Sequence, residues 1–164
     1  MAKKPRTSSS VRLRRAPLKT AAQLTKLKLQ FGLMSVEKAV EWARARSAGL
    51  DDPPYFLHEM TSLQNPTARE LIGVLDDAMA GSNDMPALRM LLGGLHGPLN
   101  RNPRTLSKLA NVLALICDGY GSDLPEDMQR MDSFSDRLER EGSTSADAVR
   151  SEMLSFLERY RAEL

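Results

Sequence analysis

The chain has 164 residues, enough for one ordinary domain with a core, and a net charge of +2. No stretch approaches the roughly 20 apolar residues that span a bilayer, and the N-terminus lacks the continuous apolar run of a secretory signal. A single cysteine, Cys117, excludes an internal disulfide and a Cys-rich zinc pattern, and together these features point to a cytoplasmic protein.

The small net charge conceals two parts of opposite sign. Residues 1–30 carry nine Lys or Arg and no Asp or Glu, whereas residues 31–164 carry 14 basic and 21 acidic side chains. A basic arm suited to an anionic surface is therefore joined to an acidic body that repels one. Residues 1–17 combine charge, serine and two prolines with little apolar content, which predicts a disordered arm; residues 18–164 are predicted to form a single helical domain.

From Leu18 to Phe31 the spacing of Leu24, Leu27 and Phe31 predicts a short amphipathic helix ended by Gly32. Ser35 is an N-cap for a second helix with a stripe of Val36, Val40 and Ala43, from which Trp42 points away, ending near Gly49. Asp51, Asp52, Pro53 and Pro54 form a turn, and Pro54 begins a short helix carrying Tyr55, Phe56, Leu57 and Met60. Three further starts place proline in a first helical turn: Pro66 after Asn65, Pro86 after Asp84 and Met85, and Pro103 after Asn102. Their stops are Gly81, Gly97 and the pair Gly119 and Gly121. The helix from Pro103 to Cys117 is the most apolar. Pro125 opens another helix with Met128, Met131, Phe134 and Leu138, closed by Gly142. The last begins with Thr144 and Asp147 in capping-box spacing and lines Val149, Met153, Phe156, Leu157, Tyr160 and Leu164 along one face.

No segment alternates like a strand, so the fold class is all-α, with about seven to eight helices. Two arrangements remain open. One is a compact bundle. The other is a pair of HEAT-like αα-hairpin repeats with capping helices, because NPTARELIGVL from Asn65 echoes NPRTLSKLANVL from Asn102, and MPALRMLL from Met85 is loosely matched by LPEDMQRM from Leu124.

Residues suited to chemistry are scarce. Acid and base catalysis has only His58 and His96 to draw on; His96 sits in GGLHG at a predicted helix end, where its charged form suits the dipole. Cys117 follows Leu113, Leu115 and Ile116 and reads as a small buried hydrophobe. Neither histidine belongs to H-E-x-x-H, there is no calcium loop, and the neighbours Asp76 and Asp77 diverge by about 100° around a helix. Asp132 with Asp136 and Glu37 with Glu41 share faces, but two carboxylates are too few for a metal site. Gly93, Gly94 and Gly97 follow a helix and lack the Lys-Ser or Lys-Thr of a phosphate loop. The expectation is a protein without enzymatic activity, metal or cofactor.

Two features carry functional potential. In the arm, Lys3, Lys4, Arg6, Arg12, Arg14 and Arg15 can meet nucleic-acid phosphates with strongly salt-dependent affinity, although residues 1–30 hold no aromatic to stack on bases. A solvated tail and an organelle transit peptide are the competing readings. The second feature is Trp42, Tyr55 and Phe56, gathered around a proline turn beside Glu41, Asp51, Asp52 and Glu59. Aromatic anchors among acidic residues suit a protein-binding surface, and the competing reading is that they pack the first helices onto the body.

The segment over residues 33–64, with SVEKAVEWARA, LDDPPYFLHEM and TSL, resembles small all-helical bacterial proteins of unknown function, some of them toxin-neutralising immunity proteins. The resemblance implies a compact, non-enzymatic protein that blocks a partner through an acidic surface; the basic arm lies outside it. The sequence therefore leads to a non-catalytic helical protein-interaction module, with a nucleic-acid-associated protein anchored by its arm as the alternative.

Overall fold

The computed structural model describes residues 16–164, the side chain of Glu163 aside, so all but Ala16 and Pro17 of the predicted arm lies outside the described residues. Among the described residues the secondary structure is entirely helical. Eight α-helices follow one another among the described residues: α1 (Leu18–Gln30), α2 (Val36–Ala48), α3 (Tyr55–Ser62), α4 (Ala68–Ala78), α5 (Met85–Arg101), α6 (Leu106–Tyr120), α7 (Asp132–Glu141) and α8 (Ala146–Glu158). Short 3-10 turns precede α6, α7 and α8. By packing, the chain groups into two compact units, one ending at Leu91 and the other running Leu92–Leu164.

In the first unit α1 packs against α4 and, less extensively, α2, while α3 packs on both α2 and α4. Its buried residues are Ala21, Ala22, Gln23, Leu24, Thr25, Leu27 and Leu29, which span more of the helix than the predicted Leu24, Leu27 and Phe31 stripe. A helix buried over most of its circumference is a central one. Its two buried polar residues are satisfied, as they must be in a dry interior: the Gln23 amide donates to the Asn83 carbonyl at 3.1 Å, and the Thr25 hydroxyl to the Ala21 carbonyl at 2.9 Å. Lys28 is half-buried on the same helix, and desolvation lowers its pKa.

Helix boundaries show where local signals decide and where packing overrides them. Ser35 caps α2, its hydroxyl accepting from the Lys38 N–H. Gly32, Gly81, Gly121 and Gly142 all follow helices with positive φ, the left-handed region open to glycine. Pro66, however, is not in the first turn of α4. Asn65 takes φ 49°, Pro66 follows it, and Thr67 is the N-cap, completing a capping box in which Glu70 accepts from the Thr67 N–H at 2.7 Å. Nor does Gly97 end α5, which continues through Pro98 to Arg101. Leu95 and Leu99 are buried one turn apart, and Arg150 of α8 donates to the Leu99 and Asn100 carbonyls, Nη2 reaching the latter at 2.9 Å. That guanidinium satisfies acceptors that otherwise lack partners at a helix end.

The second unit is built on α6 and α7, with α8 packed on α7. Residues Glu126–Met131, predicted as α-helix, are 3-10 helix, in which positions three apart eclipse; Met128 and Met131 are both buried. The predicted capping box at Thr144 does not form, because the chain enters α8 from a 3-10 turn and Ser145 has near-helical angles where an N-cap needs extended ones. The predicted core stripe of α8 is buried from Val149 to Tyr160. Phe156 lies 5.9 Å from Phe134 and 5.3 Å from Tyr160 between ring centroids, and the Arg130 guanidinium sits 5.6 Å from the Phe156 centroid. The Tyr160 hydroxyl donates to Asp127 at 2.7 Å, giving the buried ring its polar partner.

The echoing segments from Asn65 and Asn102 both lead into α-helices, α4 and α6, but they differ at the helix starts. Asn102 caps a 3-10 turn with Pro103 at its start, whereas Pro66 stands outside α4, and MPALRMLL is α-helix where PEDMQRM is 3-10 apart from its first proline.

Candidate functional site

The aromatic group separates into inside and outside. The buried face of α2 is Ala39, Trp42 and Ala43, so Trp42 is a core residue, 8% exposed, and the predicted stripe of Val36 and Val40 is only half-buried. The reason lies in the neighbours: α2 packs mainly on α3, and that contact selects the face bearing the largest apolar side chain. The Trp42 Nε1–H is buried without an acceptor among the described residues. Phe56 is half-buried, and Leu57 and Met60 are the fully buried residues of α3.

Tyr55 is the member that faces outward, 75% exposed, its ring tilted at 53° to that of His58 with centroids 6.3 Å apart. Five residues earlier, Leu50 is 42% exposed, a residue the sequence reading passes over. Its signal is an apolar side chain stranded between the end of α2 at Gly49 and the Asp-Asp-Pro-Pro turn. Among the described residues only three large hydrophobic side chains are this exposed, and two of them stand at this one corner; the third is Leu115 on α6. Asp51 and Asp52, both exposed, lie between them, and Glu59 is half-buried one turn along α3. Glu41 is exposed two turns up α2 from the helix end, which removes it from the corner.

The corner is held firmly. Pro54 precedes α3 as its N-cap, with extended angles that orient the first turn, and Leu57 N–H closes onto the Pro54 carbonyl at 3.0 Å. Leu50 N–H closes onto the Ser47 carbonyl at 3.1 Å. At the last turn of α2, Arg46 Nη2 donates to the Ala16 carbonyl at 2.9 Å, which brings the start of the described chain to the same end of the unit.

The other residues weighed for chemistry lie apart from this corner or take part in surface pairs, His58 excepted. His96 Nε2 lies 3.1 Å from Glu158, which also receives Arg161 at 2.9 Å. His58 is exposed beside Tyr55. Cys117 is half-buried rather than buried, in a shallow hollow with Asp118, Gly121, Ser122, Leu124, Gln129 and Asp132. Burial first, then the negative charges of Asp132 and Asp118, push its thiol pKa up, opposite to what a nucleophile needs. Asp76 pairs with Lys26 at 2.9 Å. Among the described residues no three His, Cys, Asp or Glu are grouped to hold a metal ion, and no helix is long and apolar enough to cross a membrane. Lys3, Lys4, Arg6, Arg12, Arg14 and Arg15 fall outside the described residues.

No family model, curated protein or solved structure matches this chain, and the site is read on its own geometry.

Proposed function

We propose that this is a non-catalytic protein-interaction module whose docking surface is the corner between α2 and α3. One observation carries the reading: Tyr55 and Leu50 stay 75% and 42% exposed, on a backbone held at both sides, with two exposed aspartates between them. A large apolar side chain left in water contributes nothing to the fold, while in an interface the same side chain removes apolar surface from solvent on association. A rigid tyrosine supplies that contact at little entropic cost, and the aspartates select a partner that presents positive charge. The specific form of the reading, drawn from the resemblance of residues 33–64, is a protein that neutralises a toxin by covering a basic surface of it.

The test is recovery of a stoichiometric partner on immobilised full-length protein from extracts of its source. The variant Leu50→Ala/Tyr55→Ala should lose the partner and keep the helical spectrum and melting temperature of the parent, since neither side chain is in the core. A partner retained at full affinity by that variant would exclude this surface. Trp42→Ala is not informative, because it empties the core.

A further inference from the structure

We infer that the second unit carries a phosphate-binding surface for duplex nucleic acid, made by Arg101 at the end of α5 and by Arg104 and Lys108 at the start of α6. It shares no residue with the corner between α2 and α3 and does not rest on that corner's role.

Charge of one sign is concentrated here. Residues 31–164 as a whole are acidic, yet no Asp or Glu occurs from Leu92 to Cys117, and the Lys and Arg of that stretch are Arg101, Arg104 and Lys108. The fold gathers them at one turn. α5 ends at Arg101, the Asn102 side chain accepts from the Arg104 N–H at 3.1 Å, and the Asn102 carbonyl accepts from the Thr105 hydroxyl at 2.7 Å, which fixes the link into α6. Arg104 and Lys108 stand four residues apart where the 3-10 turn runs into α6, and so share a face. All three cations are exposed, and among the described residues none of them has a carboxylate within ion-pairing distance.

The neighbours leave these charges available. A cation in the last turn of a helix can be taken up by the helix's own carbonyls, but at the end of α5 Arg150 fills that role, donating to Leu99 at 3.2 Å and Asn100 at 2.9 Å. Arg101 lies back beside Gly97, where an added Cβ would meet its Nη1 at 3.2 Å. Acidic residues are carried towards this turn by α7 and α8: Glu139 stands one turn beyond Ser135, whose hydroxyl donates to Asn111 of α6 at 2.8 Å, and Asp147 one turn before Arg150. Neither pairs with the three cations.

The chemistry of the surface selects its partner. No aromatic residue occurs from Leu92 to Gly119, so bases of a single strand find nothing to stack on. No large apolar side chain is exposed from Leu92 to Ala114, which withholds the anchor that a protein partner buries. Asn111 continues the face of Arg104 and Lys108 by one turn; Leu115 and Asp118 follow, confining the basic row to the first two turns of α6. Cations and amide donors without anchors suit the phosphates of a duplex, whose dense charge they meet by releasing counterions.

The experiment titrates the full chain and its variant Arg104→Glu/Lys108→Glu into a labelled duplex of about 20 base pairs, following fluorescence anisotropy between about 50 and 200 mM salt. Both proteins carry the same residues 1–30, so whatever these add cancels in the difference. Loss of two phosphate contacts should flatten the slope of log affinity against log salt by about 1.8, so that the parent loses about tenfold more affinity across that range than the variant. Glutamate suits a helix start, and the variant should keep the parent's melting temperature. Should it melt early, Arg104→Gln/Lys108→Gln removes the same contacts without adding charge and should flatten the slope equally. Arg44→Glu/Arg159→Glu, the same change of net charge at exposed positions elsewhere, should leave the slope as in the parent. Equal slopes for the parent and both variants at 104 and 108 would overturn the surface, and an equal flattening by the Arg44 and Arg159 control would reduce it to net charge. If polyglutamate separates parent from variant as strongly as the duplex does, the surface belongs to acidic proteins and the duplex assignment falls.

Discussion

Gly93 and Gly94 stand side by side in α5, and alanine at each should move stability in opposite directions. A helix gains about 1 kcal/mol when an interior glycine becomes alanine, because the unfolded chain loses conformational freedom. At Gly94 the added Cβ meets nothing within 4 Å, so Gly94→Ala should realise that gain. At Gly93 the Cβ would stand 2.3 Å from the Tyr160 carbonyl oxygen and 2.8 Å from its carbon, where real contacts stay above 3.0 Å. The obstacle is backbone, and Tyr160 is pinned by its hydroxyl on Asp127 and its ring against Phe156, so it cannot simply swing aside. Overpacking of this kind costs about 1–3 kcal/mol, and a clash with fixed backbone belongs at the upper end; after the helical gain, Gly93→Ala should be net destabilising by about 2 kcal/mol. The variants then differ by about 3 kcal/mol, or roughly 6–12 °C in melting temperature for a chain of this size. Thermal denaturation followed by circular dichroism measures it. A Gly93→Ala protein that melts at or above the parent, or two variants shifted the same way, would refute the close approach of α5 to Tyr160.

Other consequences can be checked with equal economy. Thr67→Ala should cost about 1 kcal/mol in denaturant titration by removing the cap of α4. Hydrogen bonds from the Thr67 backbone and hydroxyl lower the Glu70 pKa, so that contribution is present above the ordinary carboxylate range and lost as pH falls through the folded value; in Thr67→Ala the NMR titration of Glu70 should move up and the acid dependence shrink. Burial lowers the Lys28 pKa, so the unfolded chain binds this proton more tightly and the cost of holding the charged amine falls as pH rises through the folded value. Lys28→Met should therefore raise the unfolding midpoint at pH 7 by more than at pH 10; an equal gain at both would show that the amine is not desolvated. Cys117, its thiol pushed up by burial, should react with a disulfide reagent more slowly in the native protein than in denaturant; equal rates would contradict its placement.

How far the fold is legible in the sequence depends on the range of the interaction that decides each feature. Ser35, Gly32, Gly81, Gly121 and Gly142 act through the backbone within a few residues, and the structure uses each as its local chemistry dictates. Gly97 and Pro98 carry the same kind of local signal, yet α5 continues through both, because Leu99 is buried and Arg150, some fifty residues away, satisfies the carbonyls at the helix end. No spacing rule contains that arginine. The candidate site divides in the same way. That Tyr55 follows a proline turn among aspartates is local and readable, but whether α2 buries its Val36 and Val40 stripe or its Trp42 face depends on where α3 packs. Two periodic faces competed on one helix, and the side with the larger apolar group went in, since a buried tryptophan removes more surface from water than two valines left half-exposed at the edge. Once Trp42 is inside, Leu50 and Tyr55 are the large hydrophobic side chains left exposed at that end. Aromatic content alone shows neither that Trp42 goes inside nor that Leu50 stays in solvent.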